Sequence, residues 1–535
     1  MVRAWVRRSG IRRLERWRRP EGRRRLEDMR RLGGLGRLER LRRPEAVAVL
    51  LPVAVMLVLG LWGLDRGGMW RDEAVTFQVA RRTVPQIWQL LHSVDAVHGL
   101  YYLLMHPVLA LAPYPGEVAL RLPSVCAAAA TTGFVAALGI RLSRPRVGLW
   151  AGLLYAVTPM AGHFAQEGRS YALVAAGAAA STWLLVRALR SGRSGVWWVY
   201  GAVVAVTCLL HELAVLVLLA HAMTLALARV PARVWRRWGC AAGAAVLILA
   251  PLILVSQGQS AQVAWLTHPG LGSVRRLLGA FTGPAWLVIV PYVVLIALAL
   301  RPPRVRRGEP SLPAVALPLM VVPPAALMAV SRFWPLYDDR YVLYALAGAP
   351  LLAAAGGERL VSLVSRLPFS PPGGRHVTLT GALAVALAFA VQLPHLRQDR
   401  KADHRADNLA AVSATVRREL SPGDKVLFLP SIVRRSALAY PKGFRGVRDI
   451  ALRVPAPTSG TLYGEETGPA ELRRRLARLD RVWVVAEPFA MRPAWSPRSP
   501  TERVKLAVIE GEFAPRQEVV RKGVTLRLYV RRDAP

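Results

Sequence analysis

The sequence predicts a polytopic α-helical membrane protein that carries a small α/β domain at its C-terminal end. Hydrophobic residues make up 53% of the 535 residues and charged residues only 20%, and the mean hydropathy is +0.30. Over the first three quarters of the chain, apolar runs recur near the length needed to cross a hydrocarbon core of about 30 Å. We therefore expect a basic tail over 1–44, a transmembrane domain over 45–394 and an α/β domain over 395–535.

Eleven apolar segments are predicted to be membrane spans. The loops between alternate spans are rich in arginine, as in "RVPARVWRRW" and "RPPRVRRGE", and such loops are typical of the cytoplasmic side. If the basic tail is cytoplasmic as well, the odd number of spans places the α/β domain outside. If 196–228 were one long span, every later loop would lie on the opposite side of the membrane, and the arginine-rich loops would no longer all be cytoplasmic. The predicted spans are 46–64, 121–141, 147–163, 170–187, 196–210, 212–228, 239–256, 285–300, 312–330, 341–358 and 376–394.

The formal net charge of +39 comes from 72 lysine and arginine residues against 33 aspartate and glutamate residues. The basic residues concentrate in the tail and in the loops between apolar runs. Membrane topology accounts for this distribution, so nucleic acid is not expected as a partner. The tail itself, with "RRLERWRR" and "RRRLEDMRRL", predicts one or two amphipathic helices lying on anionic lipid at the cytoplasmic surface.

The α/β domain is predicted from alternating patterns. Helices are expected at "ADHRADNLAAVSATVRREL" and "PAELRRRLARL", and strands at "KVLFLP" and "RVWVVAE". The segment "RQEVVRKGVTLRLYVRR" is typical of a hairpin that turns at "KG". These elements together indicate a mixed helix and strand layer structure.

Polar and charged residues gather in the segments predicted to be external. The loop 65–120 begins with "DRGGMWRDEAVTFQVARR" just after the first span. A carboxylate at this level, such as Asp72 or Glu73, can act as a general base toward a hydroxyl, although an acidic pair can also be a solvated turn. The later stretch "LHSVDAVHGLYYLLMHPVLALAP" predicts a helix in the membrane interface, with Trp88, Tyr101 and Tyr102 near headgroup level.

The other external segments are 164–169, the His211-Glu212 turn, 257–284 and 331–340. The sequence therefore predicts a polar site that opens on the outer face. No pair of histidines has the spacing of a zinc site, and no residue is assigned as a metal ligand. The three cysteines lie within apolar runs and are expected to be small buried residues: Cys126, Cys208 and Cys240.

Several motifs occur in a characteristic order along 45–394: "WRDEAVTF", "VDAVHGLYYLLMHPVLAL", "RLPS", "QEGRSYAL" and "DDRYVLYALAGAPLL". In this order and on one predicted side of the membrane, they resemble the GT-C glycosyltransferases. The resemblance is to the bacterial branch related to protein O-mannosyltransferases and lipid A aminoarabinose transferases, the family 39 or 83 type.

The resemblance implies transfer of a sugar from a polyprenyl-phosphate donor to an acceptor at the outer face of the cytoplasmic membrane. Asp72 matches the first-loop aspartate of the family and is the expected general base. Glu73 would orient the acceptor or, if a divalent cation is used, bind it. Arg340 and Arg169 are the expected contacts of the departing phosphate. Further substrate contacts are expected at His98, Tyr102, Glu167, Tyr171 and His211.

The sequence leaves the sugar and the acceptor open. Mannose, arabinose and an aminoarabinose-like sugar all remain compatible, and the acceptor can be a protein, a lipid or a glycan. No cofactor is identified, with a divalent cation as an alternative.

Two other functional classes remain alternatives to a transferase. A transporter or flippase of a lipid-linked or cell-envelope substrate would show inverted repeats and broken helices at the bilayer midplane. A membrane scaffold would only present the α/β domain. The polar residues lie at one face and no repeat is evident, which favours the transferase.

Overall fold

The computed structural model of the chain describes residues 44–114, 116–300, 307–365, 374–405 and 407–532. The basic tail, apart from Pro44, lies outside the described residues, and so do 301–306 and 366–373 in two of the loops predicted to be cytoplasmic. The predicted amphipathic helices of the tail therefore remain a prediction.

A helix or a pair of helices covers each of the eleven segments predicted to be spans. The number of membrane crossings remains a prediction. Short 3₁₀ helices connect some of the α-helices, at Ala96–His98, Glu212–Leu216, Ser260–Val263 and Asp339–Ala347. The helices are α1 Pro44–Leu61, α2 Arg71–Ala80, α3 Val84–Leu91, α4 Gly99–Leu111, α5 Glu117–Leu142, α6 Pro145–Val157, α7 Pro159–Ala165, α8 Tyr171–Ser191, α9 Ser194–Leu210, α10 Val217–Leu227, α11 Ala232–Gly258, α12 Leu271–Thr282, α13 Trp286–Ala299, α14 Leu312–Val330, α15 Gly348–Val364 and α16 Gly374–Asp399.

Six of the described helices are long and apolar enough to cross a membrane, and the bent pair α12 and α13, at 87°, gives a seventh candidate. Several other segments are shorter because the helix is broken. The predicted span 147–163 divides at Thr158, which has extended backbone angles (φ −71°, ψ 125°) directly before Pro159. A residue before proline is pushed out of the helical region by the proline ring.

Small residues let neighbouring helices approach closely. A Cβ atom added to Gly148 in α6 would lie 2.4 Å from the carbonyl oxygen of Ala136 in α5, and one added to Gly356 in α15 would lie 1.8 Å from that of Leu295 in α13. Close backbone contact at glycine is a usual way for membrane helices to pack. The helices also turn some side chains outward: Cys208 is buried, but Cys126 and Cys240 are exposed, so the expectation of three buried cysteines is wrong for two of them.

The C-terminal region contains a five-stranded mixed sheet. In the order in which they pair, its strands are β2 Arg448–Asp449, β1 Lys425–Leu429, β5 Arg481–Ala486, β7 Val524–Arg531 and β6 Phe513–Arg521. Strand β1 pairs in parallel with β2 and β5, whereas β5, β7 and β6 pair antiparallel. The predicted strands and the terminal hairpin are present, and so is the predicted helix at "PAELRRRLARL", but the helix predicted over "ADHRADNLAAVSATVRREL" begins only at Leu409, after Asn408 caps it. The elements are α17 Leu409–Glu419, β1 Lys425–Leu429, α18 Arg435–Ala439, β2 Arg448–Asp449, β3 Leu452–Val454, α19 Ala456–Ser459, β4 Glu465–Glu466, α20 Pro469–Ala477, β5 Arg481–Ala486, α21 Pro500–Glu512, β6 Phe513–Arg521 and β7 Val524–Arg531.

The central strands of this sheet are buried on both faces. Leu427 of β1 and Val484 of β5 belong to a core with α20 and α21. Their neighbours Phe428 and Val485 belong to a second core with α17. Successive side chains of a strand point to opposite faces, which explains why these strands read as continuous apolar runs.

The C-terminal region packs against the segment that follows α1. The phenol oxygen of Tyr440 accepts a hydrogen bond of 2.7 Å from the backbone N–H of Met69. The Arg82 guanidinium donates to the carbonyl of Thr461 at 2.9 Å, and the Ser93 hydroxyl donates to that of Gly460 at 3.1 Å. These contacts fix the segment that carries Asp72.

Candidate active site

Asp72 lies in the first turn of α2. The helix begins at Arg71, directly after Trp70 in extended conformation (φ −92°, ψ 174°), and acidic residues are favoured at this end by the helix dipole. The Oδ2 atom of Asp72 accepts a hydrogen bond of 3.0 Å from Nη1 of Arg340. The Asp72 side chain is 26% exposed, so solvent or a substrate can reach it.

Arg340 stands at the start of the 3₁₀ turn Asp339–Ala347. Its guanidinium carbon lies 5.7 Å from the ring centre of Tyr171, 5.6 Å from that of Trp265 and 5.5 Å from that of Tyr341. Burial lowers the pKa of Arg340, but the adjacent phenol and carboxylate groups raise it, so the side chain stays charged. Aromatic faces attract a guanidinium and hold it beside Asp72.

Arg169 contacts His98 in the interior of the site. Its Nη2 donates to Nε2 of His98, and its Nη1 donates to Oγ1 of Thr76 at 3.4 Å. Because arginine has no acceptor atom, the neutral His98 ring must carry its proton on Nδ1. Burial, followed by the charge of Arg169, lowers the pKa of His98 well below its usual value, so this neutral form predominates.

His211 packs among the aromatic side chains of the same group. Its ring centre lies 4.8 Å from that of Tyr341, 5.8 Å from that of Tyr171 and 6.0 Å from that of His98. Burial, and then the charges of Arg169 and Arg340, lower the pKa of His211 to about 3. A neutral imidazole can hydrogen-bond a substrate, but it cannot serve as a general acid at neutral pH.

We call the group formed by six residues the open site: Asp72, His98, Arg169, Tyr171, His211 and Arg340. All six were predicted as site residues from the sequence, and the contacts above place them together.

Glu73 lies apart from the open site, although it is adjacent to Asp72 in sequence. Its carboxylate is fully buried and accepts from Nε of Arg121 at 2.8 Å, Nη1 of Arg405 at 2.9 Å and the backbone N–H of Gly168 at 2.9 Å. Burial raises the pKa of Glu73, but the charges of Arg405 and Arg121 outweigh it and lower the pKa. We call Glu73, Arg121 and Arg405 the ion cluster. A catalytic role for Glu73 stays a prediction.

The remaining two predicted residues border the open site. Glu167 is 3% exposed, and its Oε2 lies 3.8 Å from Nε2 of His163. Burial raises the pKa of Glu167 to about 7, against the opposing charge of His163. Tyr102 is buried and donates its hydroxyl to the carboxylate of Asp95, a residue in the left-handed region with φ 63°.

Polar atoms without a hydrogen-bond partner occur on several of the predicted site residues. Within the described residues, the buried atoms that make no hydrogen bond include one from each of five site residues. Buried polar groups are nearly always hydrogen-bonded, so such a concentration indicates a place where a polar ligand supplies the missing partners. The atoms are His98 Nδ1, Glu167 Oε1, Arg169 Nε, His211 Nδ1 and Arg340 Nε.

A cavity of ≈ 230 Å³ adjoins Arg340. One of its carboxylates already has partners: Asp339 accepts a hydrogen bond from the hydroxyl of Tyr337 at 2.8 Å and lies 3.5 Å from Nε of Arg276. Elsewhere too, among the residues that the structure describes, no group of three or more His, Cys, Asp or Glu side chains could hold a metal ion. The cavity is lined by Trp265, Leu266, Thr267, Arg276, Tyr337, Asp338 and Asp339.

Sequence reasoning missed residues that hold the first turn of α2. Arg121 lies in the quoted motif "RLPS" but had no assigned role. Asp407 accepts from Nε of Arg71 at 2.9 Å and from Nη2 at 3.0 Å, and Arg405 binds Glu73. Both partners come more than 330 residues later in the chain, where no local pattern signals the contact.

Two comparisons with solved structures decide the fold. ArnT from Cupriavidus metallidurans in the apo state superposes with a TM-score of 0.57 and 15% sequence identity, over 90% of this chain and 97% of that one. ArnT bound to undecaprenyl phosphate gives 0.56 and 14% over the same shares. The chain has a GT-C fold.

The fold expected from the sequence is thereby confirmed, and the apolar helices indicate a multi-pass membrane protein. The family model described as dolichyl-phosphate-mannose-protein mannosyltransferase matches residues 100–256 of the chain. That range contains several of the predicted site residues discussed above, among them Tyr102, Arg169, Tyr171 and His211. No curated protein matches the sequence.

Proposed function

We propose that this protein is a glycosyltransferase that moves a sugar from a polyprenyl-phosphate donor to an acceptor hydroxyl at the outer face of the cytoplasmic membrane. The observation that carries the proposal is the open site itself, in which a partly exposed carboxylate stands beside two arginines and several unpartnered N–H groups. The GT-C fold supports it, as does the undecaprenyl phosphate bound by the similar ArnT structure.

Asp72 acts as the general base in this proposal. The acceptor oxygen attacks the anomeric carbon of the donor, its proton passes to the Asp72 carboxylate, and the bond between the anomeric carbon and the phosphate oxygen breaks. The Asp72 carboxylate is reachable at its 26% exposed side chain. Its hydrogen bond to Nη1 of Arg340 fixes its orientation.

Arg340 and Arg169 bind the departing polyprenyl phosphate. Each is charged, and each has a buried Nε–H without a hydrogen-bond partner; that of Arg340 lies 3.5 Å from Oδ1 of Asp338, in an ion pair. His98 offers a third donor at Nδ1. Donors placed against a developing anion are often the largest single contribution to catalysis.

The proposal is tested by incubating the purified protein with labelled polyprenyl-phosphate sugars that carry mannose, arabinose or aminoarabinose. We expect one donor to be consumed by the wild-type protein and left intact by Asp72→Asn. Arg340→Ala should weaken donor binding as well as turnover, by roughly tenfold or more, because it removes a charge-assisted contact to phosphate. If no donor is consumed with any protein, lipid or glycan acceptor supplied, the proposal fails.

A further inference from the structure

A second cavity, of ≈ 370 Å³, lies between α9 and α11, at the end of α9 opposite His211. It contains no residue of the open site. Three of its lining residues are arginines and two are tryptophans. We call it the arginine pocket, lined by Ser194, Trp197, Trp198, Arg233, Arg236, Arg237, Cys240 and Ala241.

The arginines of this pocket lack an acidic counterpart. Positions 233, 236 and 237 are spaced so that their side chains lie on one face of α11. None of the three forms an ion pair with another described residue, and Arg237 donates only to the carbonyl oxygen of Gly192, at 2.9 Å. Like charges this close repel one another, and an anion with several oxygens would relieve the repulsion.

The walls of the pocket are fixed by hydrogen bonds behind it. Nε1 of Trp238 in α11 donates to the hydroxyl oxygen of Tyr200 in α9 at 3.0 Å. That hydroxyl also pairs with Nδ1 of His221 in α10 at 2.8 Å. Three helices are thereby joined at this end, so the pocket needs no ligand to keep its shape.

Exposed apolar side chains continue from the pocket along both helices. Trp198 and Val199 of α9 are 63% and 53% exposed, and Leu247 and Ile248 of α11 are 75% and 53% exposed. Tryptophan is enriched at the level of lipid headgroups. An arginine cluster followed by an apolar surface fits a ligand with an anionic head and hydrocarbon chains.

We propose that the arginine pocket binds the headgroup phosphate of an anionic glycerophospholipid, whose acyl chains lie along α9 and α11. The site is separate from the transfer reaction, and its occupancy does not depend on the proposed activity.

The test is lipid titration of the full chain in neutral detergent, followed by native mass spectrometry. The variant is Arg233→Gln with Arg236→Gln, which keeps Arg237 and its hydrogen bond. The matched control is Arg187→Gln with Arg190→Gln, which removes the same charge from α8 without touching the pocket. We expect phosphatidylglycerol to bind the variant roughly tenfold or more weakly than the wild type and the control, given the contribution of each arginine near a lipid surface.

Three results would overturn the proposal: equal affinity of all three proteins for phosphatidylglycerol, equal affinity of the wild type for phosphatidylglycerol and phosphatidylcholine, or inorganic phosphate displacing the lipid from the wild type. The last would assign the pocket to a soluble anion. Thermal unfolding in neutral detergent shows whether the double variant is folded, and Arg236→Gln alone, with a several-fold loss expected, repeats the test if it is not.

Discussion

The open site and the ion cluster lie on either side of one helical turn, and each is built around one of two adjacent carboxylates. The Asp72 side chain is partly exposed, and its carboxylate pairs with one arginine, Arg340. Glu73 is fully buried, and three donor residues occupy its two oxygens. Adjacent residues of a helix point about 100° apart, which is enough to leave one carboxylate partly exposed and to bury the other.

This contrast teaches that charge alone does not identify a catalytic residue. A base needs a free lone pair that a substrate can approach, and the hydrogen bonds of Glu73 leave none facing the open site. The lowered pKa of Glu73 also makes it a weak base. We therefore expect the two carboxylates to differ in what their loss affects: rate for Asp72, stability for Glu73.

The largest effect is expected for Asp72→Asn. Removing a general base lowers the rate by about 10²–10⁴-fold, while donor binding should persist because the arginines and the lipid chain remain. Single-turnover kinetics and a donor-binding assay measure the two separately. Near-normal transfer by this variant would remove the contrast between the two carboxylates.

The next effect is expected for Glu73→Gln. Breaking a buried ion pair leaves Arg121 and Arg405 without their counter-charge and costs about 3–5 kcal/mol. Thermal unfolding in detergent should show a clear loss for this variant and little change for Asp72→Asn, whose pair is near the surface. A stable Glu73→Gln protein that has lost transfer would instead make Glu73 the base.

Glu167, which borders the open site, is expected to make the stability of the protein depend on pH. Burial raises its pKa to about 7, so the folded state keeps a proton that the unfolded state has already released above its usual pKa. Stability from this group is thus present at low pH and falls as the pH rises toward 7, by at most about 3 kcal/mol. Glu167→Gln should flatten this decline, and identical profiles would show that Glu167 does not titrate there.

The smallest effect is expected for Asp407→Asn. Asp407 is buried, but its partner Arg71 has a side chain that is 44% exposed and can turn to water once the charge is lost, so the change costs about 1 kcal/mol. Loosening the first turn of α2 should lower the turnover number up to about fivefold and leave donor binding unchanged. Asp403→Asn, an exposed neighbour in the same linker, is the control, and an equal loss there would show that the ion pair is irrelevant.

The sequence predicted the helical segments and the C-terminal strands well because apolar length and strand alternation are local signals. The residues of the open site could also be selected from the sequence, because the family motifs contain Asp72, Arg169 and Arg340. The ion cluster could not be predicted in this way. Nothing in the sequence of α2 distinguishes the buried side of the turn from the open side, and Arg405 and Asp407 belong to a segment without a recognised motif.

Breaks inside helices were harder to predict than the helices. The division at Thr158 follows from Pro159, a signal that an apolar count ignores. The outward-facing Cys126 and Cys240 show the same limit, because hydropathy gives the depth of a residue in the membrane but not the helix face on which it lies.

The contacts of Arg405 and Asp407 also set an order in time. They join residues 332 and 336 positions apart, so Asp72 is synthesised long before the residues that secure its turn. At about 5–20 residues per second, the ribosome needs tens of seconds to cover that distance. A nascent chain therefore carries Asp72 for that time without the anchors, and a chain that stops before residue 405 never acquires them.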